Sequence, residues 1–291
     1  MFVANKHDAQ VPRPQASFGE YWTASLNRIR AFGSFMLPIL ALLLLWEGAV
    51  RFGFAHSSIL PAPTSIVMRA WVLLDVGHLN QSPLVANILS SLWRALAAFL
   101  LASLVAIPLG FALGLSPLAY RIASPLLSVL LPLPAVAWAP IFLVAFGQGN
   151  VTIISVCFLG AFFPILYSTI QGVRGLGRHA MWVVRSMGAG PLDIFRRVLL
   201  PGSLPALIAG LKLGMAHSWR TLVAAEMLAA LSSGLGYMIF AARSYMDVST
   251  MFVGIVCLAV IGMLIEHGLF GPLETATIRR WHRTNRVGGS R

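Results

Sequence analysis

Six ionisable side chains lie inside long apolar stretches of the sequence. A charge in such surroundings is costly and usually has a function. The six are Glu47, Arg94, Lys212, His217, Arg220 and Glu226. Groups of this kind either neutralise one another or bind a charged solute that enters the apolar region.

His217 and Arg220 are the strongest candidates for binding a solute, together with Pro134 and Pro140 from another segment. At a spacing of three residues, the two side chains share neighbouring sides of one helix near its midpoint. Glu226 follows Arg220 by six residues and points about 120° away, so it cannot pair with Arg220 along the helix. Arg220 therefore either meets a carboxylate from another segment or faces a pathway where it attracts an anion.

The other four charged groups are predicted to be structural. Glu47, Arg94 and Glu226 fall toward the same end of their segments and are expected to neutralise one another rather than form a gate. Lys212 lies about two turns inside its segment, from where its long side chain can reach the membrane surface.

No motif of a soluble enzyme is present. The sequence lacks the phosphate-binding Gly-x-x-x-x-Gly-Lys-Ser/Thr loop, the His-Glu-x-x-His zinc motif and the Gly-x-Ser-x-Gly nucleophile motif. Cys157 and Cys257 lie in apolar runs and are expected to act as small hydrophobic residues. The sequence predicts no catalytic residue, metal ligand or cofactor in this chain.

The composition is that of an integral membrane protein. Hydrophobic residues make up 58% of the chain and charged residues 10%, with a mean hydropathy of +0.81. The apolar runs predict an all-α fold with six transmembrane helices, at 32–50, 87–115, 125–146, 151–171, 204–230 and 251–272. The third run contains Pro125, Pro132, Pro134 and Pro140, so we expect a broken helix that faces protein or a water-filled pathway.

The polar segments predict the topology. Residues 1–31 form an N-terminal arm, 32–273 the transmembrane domain and 274–291 a basic tail. Residues 65–74 have the spacing of an amphipathic surface helix capped by Thr64 or Ser65, and 232–250 form an outer loop. Most of the 21 Lys and Arg residues fall in the arm, the tail, 174–205 and the loop near Arg121, which places both termini in the cytoplasm. This scattered charge, +12 in net, does not indicate nucleic-acid binding.

Residues 174–205 form the long polar interruption in the C-terminal half. Good helix formers run up to Gly188, where a helix end favours a positive φ. A second short helix is predicted to begin at Pro191, carry an Asp193–Arg197 pair, and end at Pro201. Its apolar stripe is expected to enter a groove on a partner, and is formed by Leu192, Phe195, Val198 and Leu199.

Gly188, nine residues, Val198, one residue, then Leu200 and Pro201 resemble the coupling motif of ABC importer permeases. That motif reads Glu-Ala-Ala, three residues, Gly, nine residues, Ile, one residue, Leu-Pro. Five further segments resemble the permeases that import nitrate, sulfonates and taurine: 60–64, 91–94, 107–110, 160–165 and 224–228. Trp182, Val183 and Val184 stand where the motif has Glu-Ala-Ala, so the acid is missing. The resemblance assigns ATPase coupling to Trp182, Arg185, Gly188, Ala189, Asp193, Val198, Leu200 and Pro201.

The resemblance implies a type I ABC importer permease in the bacterial inner membrane. A separate ATPase subunit would bind ATP and Mg, a second copy of the permease would complete the pathway, and a periplasmic binding protein would deliver the substrate. The implied substrate is a small anion such as nitrate, a sulfonate or a taurine-like compound. A self-sufficient secondary transporter or channel is the alternative, and a membrane enzyme would need clustered catalytic groups that the spans lack.

Overall fold

A computed structural model describes residues 37–54, 56, 58–75, 84–176, 184 and 186–274. It divides at Thr64 into two units, 1–64 and 65–291. The regular elements among the described residues are all helical, and none is a strand.

The first unit contains helix α1, residues 37–51, whose side chains are mostly exposed toward its start. Glu47 connects the end of α1 to the last residue of this unit. Its carboxylate accepts hydrogen bonds from Arg51 Nε at 2.7 Å and from the Thr64 hydroxyl at 2.8 Å. Of the first predicted span, 32–50, residues 32–36 lie outside the described residues.

The second unit is built around three long helices: α3 (Leu84–Leu115), α6 (Asn150–Gly175) and α8 (Leu200–Ala229). Small residues let their backbones approach closely, which is how helices pack where no hydrophobic effect drives them together. A Cβ added to Gly110 of α3 would lie 2.6 Å from Thr169 Cβ, and one added to Gly214 of α8 would lie 2.6 Å from Ile165 Cγ1. Ala98, Ala102 and Ala106 continue the same stripe of α3 and are fully buried.

The proline-rich third segment is broken, as predicted. Helix α4 (Pro117–Leu130) and helix α5 (Ala139–Phe146) are bent by 87° about the residues between them, which include a 3-10 turn at Ala135–Trp138. The prediction began this segment at Pro125, but α4 begins at Pro117 because Ser116 caps it by accepting a hydrogen bond from the Ala119 N–H. Pro125 is accommodated inside α4.

Two connecting segments differ in part from their predictions. The amphipathic helix is present as α2 (Pro63–Asp75), with Ile66 and Leu73 buried, but it starts at Pro63, so Thr64 and Ser65 lie within its first turn and not at the predicted cap position. The predicted outer loop 232–250 contains helix α9 (Leu235–Ser244). This helix forms because Leu235, Met238 and Ile239 are buried inside the fold, a long-range effect that the local Gly and Ser content conceals.

The last helix, α10 (Val248–Met263), continues through a π turn at Leu264–Phe270. Asp247 caps its start by accepting a hydrogen bond from the Thr250 N–H and also pairs with Arg69 of α2. Burial raises the pKa of Asp247, but the bonds from Thr250 and Arg69 outweigh burial and hold that pKa below its usual value. The cap is therefore ionised at neutral pH, and it ties α2 to the start of α10.

Four helical stretches among the described residues are long and apolar enough to cross a bilayer: Leu84–Leu115, Asn150–Gly175, Pro191–Ala229 and Val248–Glu274. The bent α4–α5 pair would make a fifth. The all-helical, multi-span architecture agrees with the sequence analysis, whereas the count of six spans stays a prediction.

Candidate coupling segment and translocation cavity

The turn at Gly188 ends the helix before it in the predicted way. Gly188 has φ +82°, and the Ala189 N–H donates to the Val184 carbonyl at 3.3 Å. That six-to-one hydrogen bond across a left-handed glycine is the Schellman pattern of a helix end. Gly188 thus redirects the chain. Two of the predicted coupling residues, Trp182 and Arg185, lie outside the described residues.

The short helix that follows buries most of the predicted stripe, but against its own chain. Helix α7 (Pro191–Ile194) and a π turn (Phe195–Leu199) place Ile194 and Leu199 in a cluster with Phe111 and Val173 of the same chain. Phe195 packs edge-on against Phe111, with ring centroids 5.2 Å apart.

Leu192, predicted to share the buried stripe, is 60% exposed. The predicted stripe assumed α-helical spacing throughout, but the π turn shifts the register after Ile194. The exposed face carries the predicted Asp193–Arg197 pair at 3.4 Å, and Leu200 is partly exposed. This face is available to a partner, whereas the face of Ile194 and Leu199 is already covered.

The helix that begins at Pro191, the candidate coupling helix, does not end at Pro201 as predicted. It runs on into α8, and Pro191–Ala229 form one helical stretch of 39 residues. The π turn explains why Pro201 is tolerated: the Leu200 N–H still donates to the Phe195 carbonyl, and Pro201 sits in the first turn of α8. Pro201 itself has no N–H to donate, so the helical stretch continues through it with one backbone hydrogen bond fewer.

A cavity of about 580 Å³ opens between the 131–136 bend, the middle of α6 and the middle of α8. Three of the four predicted pathway residues line it: Pro134, His217 and Arg220. Pro140, the fourth, does not line this cavity. The sequence analysis missed its other polar lining residues, Tyr167, Ser168 and Thr221. The break between α4 and α5 forms one wall of the cavity, because residues 131–136 of the bend line it.

The predicted neutralisation of Arg94 by Glu226 is confirmed. Arg94 Nη1 lies 2.8 Å from Glu226 Oε1, and both side chains are almost fully buried. Arg94 also donates to the Asn150 side chain at 2.8 Å. Glu47, predicted to join them, instead has Arg51 and Thr64 of its own unit as partners.

The Glu226 carboxylate also accepts a hydrogen bond from the backbone at the start of helix α9. The Gly236 N–H donates to Glu226 Oε2, the Leu235 N–H to Ser91 Oγ and the Gly234 N–H to Asn87 Oδ1, each at 2.8–2.9 Å. Three successive backbone donors at a helix start are thereby satisfied by side chains from α3 and α8. The network fixes the loop between α8 and α9.

Lys212 is ion-paired, and its predicted reach to the membrane surface stays a prediction. Its Nζ lies 3.2 Å from Glu274 and 3.8 Å from Glu266. Cys157 is buried and Cys257 half-buried, and both are free thiols.

The profile of the family described as binding-protein-dependent transport system inner membrane component matches residues 106–267, more than half of the chain. The taurine transport system permease protein TauC of Escherichia coli is 31% identical over 241 residues, covering 83% of this chain and 86% of the relative. The nitrate import permease protein NrtB of Leptolyngbya laminosa is 32% identical over 208 residues, covering 70% of this chain and 74% of the relative.

A solved structure of the MetNI methionine ABC transporter in an inward-facing conformation matches the fold. It superposes with a TM-score of 0.57 at 20% identity, over 68% of this chain and 99% of the other. These matches confirm the resemblance that was inferred from the Gly188 to Pro201 motif. The chain belongs to the inner membrane components of binding-protein-dependent transport systems, the permease subunits of ABC importers.

Proposed function

We propose that this chain is the permease through which an ATP-driven importer moves a small anion, with a nitrate, sulfonate or taurine-like compound as substrate. Two relatives support this substrate class by their names, since taurine carries a sulfonate group and nitrate is itself an anion. The observation that carries the coupled mechanism is the continuous helical stretch Pro191–Ala229, which joins the exposed coupling face to the cavity at Arg220.

The coupling helix transmits motion by being anchored on one side and free on the other. Ile194 and Leu199 hold it to its own chain, while Leu192 and Asp193 stay exposed for a groove on the ATPase subunit. A displacement of this helix by the ATPase is carried along α8, because no loop interrupts the helix before Ala229. The coupling residues in this proposal are Trp182, Arg185, Gly188, Ala189, Asp193, Val198, Leu200 and Pro201.

The remaining subunits follow from the same proposal. Two copies of the permease form the pathway of a six-span, type I importer, and an ATPase subunit bound to each copy holds ATP and Mg. A periplasmic binding protein delivers the substrate to the outer face. This chain supplies no nucleotide site of its own, which agrees with the absence of a phosphate-binding loop from its sequence.

A transport measurement tests the function. The full-length chain, purified gently from its native cells, should retain an ATPase subunit. Membrane vesicles that contain the complex and the cognate binding protein should accumulate taurine, ethanesulfonate or nitrate only when ATP is supplied, while methionine should not accumulate. Uptake driven by an ion gradient without an ATPase would instead establish the secondary transporter or channel.

We propose an orientation with both termini in the cytoplasm and in the bacterial inner membrane. Single cysteines at Ser57 and Ser233 should then react in intact cells with an impermeant thiol reagent, in a background from which Cys157 and Cys257 have been removed. A cysteine at Ala189 should react only after the membrane is opened. Labelling at Ala189 in intact cells would reverse the orientation.

A further inference from the structure

The cavity beside α8 has a strongly uneven distribution of charge. Seventeen of the described residues line it, and these include Arg220 and His217 and no Asp or Glu. The hydroxyl groups of Tyr167, Ser168 and Thr221 add hydrogen-bond donors to the same walls. A volume of about 580 Å³ lies within the range of small-molecule sites, which are mostly apolar with a few convergent polar groups.

Arg220 differs from the other cations of the long helices. Arg94 is paired with Glu226, and Lys212 with Glu274 and Glu266. Within the described part of the chain, Arg220 has no ion pair. It lies nine residues before the end of α8, about 14 Å along the helix, which places it deep within a bilayer about 30 Å thick.

A second, smaller void adjoins Arg220. Arg220 also lines a void of about 80 Å³ together with Lys212 and Glu266. The smaller void is thus lined by both Lys212 and Glu266, whereas no acidic residue is among the described residues that line the larger cavity. Glu266 lies 3.8 Å from Lys212, so its carboxylate is already paired with another cation.

We infer that the cavity is an anion-binding station inside the membrane domain, in which Arg220 holds a sulfonate or similar oxyanion group. His217 and the hydroxyl of Thr221 contribute further donors, and the apolar walls from the 131–136 bend accept a short carbon chain. A planar guanidinium forms paired hydrogen bonds with such oxygens. The inference deepens the proposed import function and rests on it for the identity of the cargo, but it can be tested without any transport.

Thiol labelling inside the cavity provides that test. Ala224 lines the cavity and is small, so Ala224→Cys places a thiol there with little change of shape. The full-length chain, with Cys157 and Cys257 replaced by Ala, is treated in membrane vesicles with 2-sulfonatoethyl methanethiosulfonate and with its trimethylammonium counterpart. For each protein, the labelling rate with the anionic reagent is divided by the rate with the cationic reagent. This ratio is then divided by the same ratio measured for a free thiol in solution.

The anionic reagent should be favoured by about tenfold or more over the free-thiol ratio, since a positive cleft concentrates anions to that degree. Arg220→Gln should abolish this preference, and Arg220→Lys should keep most of it. The matched control is Arg243→Gln, which removes an exposed arginine of α9 that does not line the cavity and should leave the preference unchanged. Excess ethanesulfonate should slow the labelling, whereas neutral dimethyl sulfone should not.

The station is overturned if the normalised rates show no preference for the anion while Arg220 is present, or if neither reagent reaches the thiol. These outcomes are separate from a failure of the import function. A permease that shows anion preference in the cavity but transports none of the tested anions would keep the station and lose the proposed cargo.

Discussion

Glu226→Ala is expected to prevent the folded permease from accumulating. The substitution leaves the Arg94 guanidinium buried without its carboxylate, and breaking one side of a buried ion pair costs about 3–5 kcal/mol. It also removes the acceptor of the Gly236 N–H at the start of α9. A loss of this size is a large fraction of the stability of an ordinary domain, which is about 5–15 kcal/mol.

Graded variants separate the charge from the hydrogen bonds. Glu226→Gln keeps an acceptor for the Gly236 N–H but loses the charge. Its accumulation and midpoint temperature should therefore fall less than those of Glu226→Ala. Combining it with Arg94→Gln should restore part of the loss, because the buried cation is then removed as well. Accumulation and midpoint temperature of the detergent-solubilised protein, followed by fluorescence-detected size-exclusion chromatography, give the comparison.

The exposed Asp193–Arg197 pair is the matched control for stability. Its two side chains are 56% and 81% exposed, and such surface pairs contribute about 0–1 kcal/mol. Asp193→Ala should therefore leave the midpoint temperature nearly unchanged. The account of the Arg94 network is wrong if Glu226→Ala is as stable as the parent protein.

The sequence predicted the features that depend on neighbours along the chain. The break among Pro132 and Pro134, the positive φ at Gly188 and the i,i+4 pair of Asp193 and Arg197 all appear in the structure. Each follows from one residue or one helical turn. Local conformational preferences are sufficient to specify such features.

Features that depend on distant residues were missed. Helix α9 looked like a loop, because its first donors are satisfied by Asn87 and Ser91, which lie about 145 residues earlier in the chain. The end of the coupling helix at Pro201 was wrong because a π turn is not visible in the residue pattern. A buried donor or a shifted helix register depends on tertiary packing, which a single sequence does not display.

The candidate cavity was predicted by residue type and not by shape. Arg220 and His217 stood out as ionisable groups in an apolar helix, and this signal is available in any sequence. Tyr167 and Ser168 carried no such signal, since hydroxyl groups are ordinary in membrane helices. The position of Ser168 depends on Gly210 of α8, where an added Cβ would lie 2.5 Å from the Cβ of Ser168.

Gly188→Val is expected to leave membrane insertion intact and to separate ATP hydrolysis from transport. Gly188 has φ +82°, a conformation that costs a β-branched residue about 1–2 kcal/mol or more. A Cβ at this position would meet nothing within 4 Å, so the cost is confined to the backbone. The chain relieves it by turning differently, and the helix that begins at Pro191 then no longer presents Leu192 and Asp193 to the ATPase in the required direction.

The measurements are the amount of ATPase that co-purifies and the increase in hydrolysis when substrate-loaded binding protein is added. Gly188→Val should lose most of that increase, whereas Gly188→Asn should retain it, because asparagine adopts positive φ more readily than other side chains. Gly53→Val is the matched control, since Gly53 has φ +79° and equally open surroundings but lies outside the coupling segment. If Gly188→Val supports full substrate-stimulated hydrolysis and uptake, or if Gly53→Val fails to the same extent, the direction set by Gly188 does not couple the ATPase to the cavity.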